Sequence, residues 1–136
     1  MEPALDPWPP GTVTILSTVG ADGEPHAIPI STARVAGPDR VLLALAPRCG
    51  SLARLRARPP VALSVMGAGV ALTVYGSARI LGEEVAGVAA VAIEVDSVRD
   101  HDQPTFEIES GVDWRWVDDS ARERDEAVRA ALDGLA

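Results

Sequence analysis

The sequence of 136 residues contains no lysine, because all twelve of its basic residues are arginine. This absence excludes Schiff-base chemistry and a lysine clamp on a phosphate, so any cationic contact with an anion has to come from arginine. Cys49 is the only cysteine, which excludes an intrachain disulfide and predicts a reducing, cytoplasmic location. A packing role for Cys49 is favoured over a nucleophilic one, since no obvious base follows it.

Long apolar runs and positive charge are also scarce. No run reaches the roughly 18 residues of a membrane span, and residues 1–6 lack the basic and apolar regions of a signal peptide. The formal net charge of −8 argues against a nucleic-acid partner, whose phosphates must be neutralised by cations. We therefore expect no membrane or nucleic-acid contact. With 47% hydrophobic residues, the chain is expected to form a single domain over residues 1–136.

Histidine is limited to His26 and His101. Neither has carboxylates at a recognisable ligand spacing, although Asp100 and Asp102 flank His101. No metal site is predicted.

Strand patterns dominate the first three quarters of the chain. Thr12–Val19 and Pro25–Thr32 have the composition and alternation of strands, and Asp22-Gly23 between them favours a hairpin turn. Pro29 cannot donate to a ladder, so its strand is expected at an edge or a bulge. Gly76 suggests a bulge or a barrel corner. Further strands are predicted at Val41–Ala46, which should be buried on both faces, and at Val61–Val65, Ala71–Leu81 and Val88–Val98.

Two helices are predicted. Leu52 and Leu55 give Ser51–Arg58 a short apolar stripe, with Ser51 as N-cap and Pro59-Pro60 as the stop. The capping-box spacing of Ser120-Ala121-Arg122-Glu123 and an apolar stripe after it predict a C-terminal helix over residues 118–135.

The remaining segments carry three tryptophans. Residues 1–10 are expected to form an irregular arm, with Trp8 packed against the body. Thr105–Ile108 and Trp114–Val117 could form one more short strand or hairpin. Trp114 and Trp116 would then share a face, either in core or dimer packing or stacked on a cofactor or substrate.

Four arginines are concentrated between two predicted strands, at positions 48, 54, 56 and 58. If a helix begins at Ser51, the free N–H groups of its first turn add partial positive charge next to Arg48. Arg48, Ser51 and Arg54 could then surround a phosphate, with guanidinium groups providing bidentate hydrogen bonds. The alternative is a solvated helix face that balances acidic neighbours.

The order of these elements resembles a known family. The segments that carry the resemblance are Leu16-Ser17-Thr18-Val19, Asp22-Gly23-Glu24-Pro25-His26, Ile28-Pro29-Ile30-Ser31, the Ser-Leu-Ala-Arg-Leu-Arg helix, Pro60-Val61-Ala62-Leu63 and Val74-Tyr75-Gly76-Ser77-Ala78. Over about residues 10–98 the chain is similar to the pyridoxamine 5′-phosphate oxidase-like family of flavin-binding split β-barrels.

The resemblance implies a mostly-β (α+β) split barrel with a short Arg-rich helix between strands and a C-terminal helix. It also implies a homodimer that binds FMN, or the deazaflavin F420, at the subunit interface. By the same resemblance, Ile30, Ser31 and Thr32 would line the flavin ring. The residues expected to contact the phosphate tail are Pro47, Arg48, Ser51 and Arg54. Many family members have lysine where Ser51 falls and asparagine where Arg54 falls.

The function expected from the resemblance is FMN binding with oxidoreductase chemistry on a small organic substrate. The flavin would carry out hydride transfer, so no catalytic side chain is predicted. One rival is an F420-dependent reductase of the same fold, whose long acidic tail would demand more cationic surface than this chain offers. The other is a cofactor-free barrel that serves as a binding or structural module.

Overall fold

The computed structural model describes residues 5–136, and for residues 83–85 the backbone alone. Residues 5–136 form seven strands and two helices. The strands are β1 Thr14–Val19, β2 Pro25–Ile30, β3 Arg34–Val35, β4 Arg40–Leu45, β5 Pro60–Gly67, β6 Val70–Val85 and β7 Val88–Asp100, and the helices are α1 Gly50–Ala57 and α2 Asp119–Asp133. The mostly-β class, with one helix between strands and one near the C-terminus, is confirmed.

The seven strands form one antiparallel sheet in the order β2-β1-β5-β6-β7-β4-β3. Strands far apart in this order still bury side chains in one core cluster, which includes Leu16 of β1, Leu43 of β4 and Leu63 of β5. A flat sheet could not bring these side chains together, so the sheet curls around its apolar face.

The other face of β4 is covered by α2. Leu42 forms a second buried cluster with Val128 and Leu132 of this helix, and it points away from the neighbouring Leu43 because side chains alternate along a strand. The prediction that Val41–Ala46 is buried on both faces is confirmed for β4, whose residues 41–43 are fully buried.

The β1–β2 hairpin is confirmed. Gly23 has a φ of 83°, which a residue with a side chain rarely adopts, and the strands pair in register from Thr14↔Ile30 to Val19↔Pro25. In the turn, a hydrogen bond from the backbone N–H of Glu24 lowers the pKa of its carboxyl group, and one from His26 adds to this effect. The stabilising contribution is therefore present above the ordinary glutamate pKa and is lost as the pH falls from that value through the lowered pKa of the folded state. Pro29 lies in β2, an edge strand, as its missing N–H predicts.

Gly76 marks the predicted bulge. The register between β6 and β7 shifts between Tyr75 and Gly76. A Cβ atom on Gly76 would lie 2.2 Å from the carbonyl oxygen of Glu94, so the two strands approach more closely here than a side chain allows. The bulge bends the long β6 strand, which helps the sheet to curl.

Both helices begin within one residue of the predicted start, but the predicted caps were wrong. α1 begins at Gly50 with Cys49 as N-cap, and Ser51 is buried inside the first turn, where its hydroxyl accepts a hydrogen bond from Arg54. α2 begins after Asp118, whose carboxylate accepts a hydrogen bond of 3.0 Å from the N–H of Ala121. Asp118 therefore takes the capping position predicted for Ser120.

The predicted strand or hairpin at Thr105–Ile108 and Trp114–Val117 was also wrong, because both segments are irregular. In the described sheet, β4 pairs with β7 only as far as Glu94, so the later part of β7 pairs with β6 alone, and residues 105–117 do not join this edge. A single backbone hydrogen bond, from Gly69 N–H to Ile108 C=O, ties this part of the chain to the β5–β6 turn.

The N-terminal arm packs as the sequence predicts over its described part, while residues 1–4 of the predicted arm lie outside the described residues. Trp8 is buried, and its Nε1–H donates a hydrogen bond of 2.8 Å to the carbonyl oxygen of Ala33. Across the described chain, neither helix has the length and apolar character needed to cross a membrane.

Candidate cofactor site

The N-terminus of α1 is the centre of the candidate site. Leu52 and Leu55 are buried in the main core and fix the orientation of this helix. The first-turn N–H groups of a helix lack partners within it, and Cys49 provides no side-chain cap in the part of the chain that the structure describes. These groups therefore leave partial positive charge at the end of α1.

Arg54 folds back over this helix end. Its Nε donates a hydrogen bond of 3.0 Å to Thr18 Oγ1, and its Nη2 donates one of 3.2 Å to Ser51 Oγ. Its Nη1 would lie 3.0 Å from a Cβ atom on Gly50, so the guanidinium group lies directly beside that glycine. Among the described residues, Arg54 has no carboxylate within ion-pair distance. Its half-buried positive charge is thus held by two neutral hydroxyl groups.

The other arginines of the cluster do not all point to this place. Pro47 and Arg48 are exposed on the turn before α1, which is closed by a hydrogen bond of 2.9 Å from Cys49 N–H to Ala46 C=O. Arg58 instead donates a hydrogen bond of 2.7 Å to the carbonyl oxygen of Ala21 in the β1–β2 turn. Arg54 and Arg58 therefore lie in different places, one at the end of α1 and the other at the β1–β2 turn.

The residues predicted to line a flavin ring lie near the opposite end of β1. Ile30 is buried, and its carbonyl oxygen accepts a hydrogen bond of 2.9 Å from Thr14 Oγ1. Arg54 contacts Thr18, which lies four residues after Thr14 on β1. The predicted ring residues and Arg54 are therefore about 13 Å apart along this strand. β1 connects these two parts of the predicted site.

Ser31 and Thr32 lie just beyond β2. Thr32 Oγ1 accepts a hydrogen bond of 3.0 Å from the N–H of Ala44, which ties this segment to β4. The carbonyl oxygen of Ser31 accepts one of 3.4 Å from Arg129 Nη2 of α2. β4 ends at Leu45, two residues before Pro47. This strand therefore also connects the predicted ring residues with the predicted phosphate contacts.

Sequence reasoning missed two contributors. Thr18 became part of the site only through its hydrogen bond with Arg54, a pairing across 36 positions that no local pattern signals. Arg129 lies on the predicted C-terminal helix, but nothing in the sequence indicates that it reaches Ser31. In the described part of the chain, no group of three or more metal-ligating side chains comes together.

The two C-terminal tryptophans are not strand neighbours. The ring centroids of Trp114 and Trp116 are 5.2 Å apart with an interplanar angle of 86°, an edge-to-face contact. Trp114 Nε1–H donates a hydrogen bond of 2.8 Å to the carbonyl oxygen of Gly11. Both indoles remain partly exposed, at 38% and 40%.

Comparison with known families agrees with this architecture. Residues 4–110 match the sequence profile of the pyridoxamine 5′-phosphate oxidase family, and the chain belongs to this family. No curated protein sequence matches it.

Solved structures share the fold at low sequence identity. A candidate pyridoxamine 5′-phosphate oxidase from Lactobacillus delbrueckii is 19% identical, with a TM-score of 0.57 over 64% of this chain and 83% of that chain. An FMN-binding protein from Syntrophomonas wolfei is 16% identical, with a TM-score of 0.57 over 66% and 77%. An F420 reductase is 15% identical, with a TM-score of 0.58 over 65% and 89%. The predicted split β-barrel is confirmed.

Proposed function

We propose that this protein binds FMN, with the phosphate at the N-terminus of α1, and uses it in oxidoreductase chemistry on a small organic substrate. The observation that carries the proposal is the guanidinium group of Arg54, which lies without a carboxylate partner among the described residues next to the uncapped end of α1. A positive charge in such a place is best explained by an anionic ligand.

The residues present fit a phosphate group. Arg54 supplies the charge that the lysine of many family members would supply at Ser51, and it does so from one turn further along the helix. Arg48 is exposed beside the same helix end and can close over a ligand from the solvent side. Pro47 and the backbone N–H groups of Gly50 and Ser51 complete the proposed contacts.

The flavin ring would lie towards Ile30, Ser31 and Thr32. The ribityl chain would have to span the separation of about 13 Å along β1 between the ring and the phosphate. When bound, the cofactor supplies hydride transfer. The chain would orient the ring and exclude water from it. The buried side chain of Ile30 favours this exclusion on the side of the ring that faces it.

The proposed location is the cytoplasm. The lone thiol of Cys49 remains free in a reducing compartment. A thiol assay on freshly lysed cells should find it unmodified, and an oxidised thiol would contradict this location.

A titration with FMN tests the proposed function. The purified protein should take up one FMN per chain and show the visible absorbance of oxidised flavin after gel filtration. Uptake of F420 in place of FMN would support the deazaflavin rival. A protein that binds neither would overturn both enzyme proposals in favour of a cofactor-free binding or structural module.

We also propose a homodimer formed through the outer face of the sheet. Ile15 of β1, Met66 of β5 and Tyr75 of β6 are exposed by 39%, 58% and 43%. The strand registers Ile15↔Ser64 and Ala62↔Tyr75 place all three side chains on this one face. Large apolar side chains grouped on a sheet face favour association with a second copy.

Replacing Met66 with arginine is expected to convert the dimer into a monomer, because a charge would be buried without a partner at the centre of this face. Gel filtration with multi-angle light scattering should give twice the chain mass for the wild type and the chain mass for Met66→Arg. Val117→Arg is the matched control, since Val117 is exposed on the segment between β7 and α2 and should leave the dimer intact. A monomeric wild type, or a dimeric Met66→Arg variant, would contradict the proposed interface.

A further inference from the structure

A groove of about 690 Å³ lies on the same side of the barrel as Ser31. It is bounded by residues 9–13, by the end of β5, by residues 110–116 and by Arg122, Asp125 and Arg129 of α2. Its volume lies within the range of small-molecule sites. None of the residues proposed to hold the FMN phosphate lines it.

One wall of the groove is aromatic. Trp114 and Trp116 both line it, and their edge-to-face contact leaves indole surface exposed to the groove. The hydrogen bond from Trp114 Nε1 to Gly11 fixes the pair against the N-terminal segment. A wall that is already ordered costs little entropy when a planar ligand packs against it.

The charges in the groove separate into paired and unpaired groups. Arg129 is held by Asp125 at 2.7 Å, and Arg122 is bridged by two carboxylates of α2. Arg115 has no ion-pair or hydrogen-bond partner in the described part of the chain. Likewise, Trp116 Nε1–H has no acceptor among the described residues. Within the described chain, the unmatched groups therefore include two donors, the guanidinium of Arg115 and the indole N–H of Trp116, together with the carboxylate of Asp113.

We propose that this groove binds a planar aromatic carboxylate. Its ring would pack on Trp114 and Trp116, and its carboxylate would accept hydrogen bonds from Arg115, whose planar fork matches that geometry. Arg129 lines the groove and reaches Ser31, so the bound ligand lies next to the strand end assigned to the flavin ring. That this ligand is the substrate rests on the proposed flavin function, whereas its binding does not.

The test uses the full-length protein without flavin, labelled with nitrogen-15, and 1-naphthoate as the probe. Each of the three tryptophans gives one indole N–H signal in a two-dimensional NMR spectrum, assigned by single Trp→Phe replacements. Titration should shift the signals of Trp114 and Trp116 and leave that of Trp8 in place. Trp8 does not line the groove but a neighbouring cavity of about 430 Å³, so a shift of its signal alone reports occupancy of the wrong site.

Two comparisons establish the ligand class. The neutral analogue 1-naphthamide should bind at least about tenfold more weakly, and Arg115→Gln should weaken 1-naphthoate binding by a similar factor. Arg124→Gln, an exposed α2 residue outside the groove, should change it less than about twofold.

Three outcomes would overturn the proposal: no shift at millimolar 1-naphthoate, equal binding of the amide, or a shift confined to Trp8. Because the assay contains no flavin, each of these results is independent of whether the protein binds FMN. If the protein binds 1-naphthoate but not FMN, the ligand site is supported and the proposal that its ligand is the substrate is lost.

Discussion

Replacing Arg54 with glutamine is expected to raise the dissociation constant for FMN by roughly ten- to a hundredfold. A hydrogen bond to a charged group is worth about 1.5–3 kcal/mol, and each 1.4 kcal/mol corresponds to about a factor of ten in affinity. Arg54 is the half-buried cation at the end of α1, and its charge has no carboxylate partner among the described residues, so the phosphate would lose its main contact. Titration of the variant with FMN, followed by flavin fluorescence, measures the change.

Riboflavin is the decisive control for Arg54→Gln, because it has the same ring without the phosphate. Its affinity should be the same for the wild type and the variant. The FMN affinity of Arg54→Lys should lie between those of the wild type and Arg54→Gln, since lysine keeps the charge but loses the planar fork that reaches Thr18 and Ser51. Arg124→Gln removes one positive charge at a distance and should leave FMN affinity unchanged. Equal weakening of FMN and riboflavin would show that Arg54 shapes the fold and does not bind the phosphate.

Replacing Trp8 with alanine is expected to lower the free energy of unfolding by about 3–5 kcal/mol, the usual cost of truncating a buried large aromatic side chain. The indole is 6% exposed and belongs to the main core, so its loss leaves a cavity beneath the N-terminal arm. The hydrogen bond to Ala33 would be lost as well, which loosens the segment that follows Ser31 and Thr32. Urea unfolding followed by circular dichroism measures the effect.

Trp8→Phe separates the two contributions. Phenylalanine keeps most of the apolar volume but leaves the carbonyl of Ala33 without its donor, so a loss of about 1–3 kcal/mol is expected. A Trp8→Ala variant as stable as the wild type would mean that the N-terminal arm contributes nothing to the folded barrel. Similar losses for both variants would place the whole effect in the hydrogen bond.

The strands and the hairpin could be predicted because their signals are local. Alternating residues define β1, and Asp22-Gly23 provides the positive φ that the turn requires. Gly76 was also informative, since glycine tolerates the 2.2 Å approach of the Glu94 carbonyl, which leaves no space for a side chain. These features depend on a few consecutive residues, so the sequence contains them directly.

The site could be predicted only in part, because its geometry depends on contacts between distant residues. The arginine cluster was visible, but Arg54 is placed by Thr18 of another strand and Arg58 by Ala21 of a turn. The predicted strand around Trp114 failed for a related reason. Its local pattern was compatible with pairing, yet residues 111–116 form no ladder with the described sheet. Local composition does not specify whether a segment finds a partner strand.

The pairing of β4 with β7 determines when a newly synthesised chain can complete its sheet. β4 leaves the ribosome well before β7, and until then its available neighbour in the described sheet is the two-residue β3. At ordinary translation rates this apolar strand waits on the order of seconds for its main partner. The nascent chain is therefore most prone to aggregation between the synthesis of Leu45 and that of Asp100, and expression at reduced temperature with added chaperones should favour the soluble product.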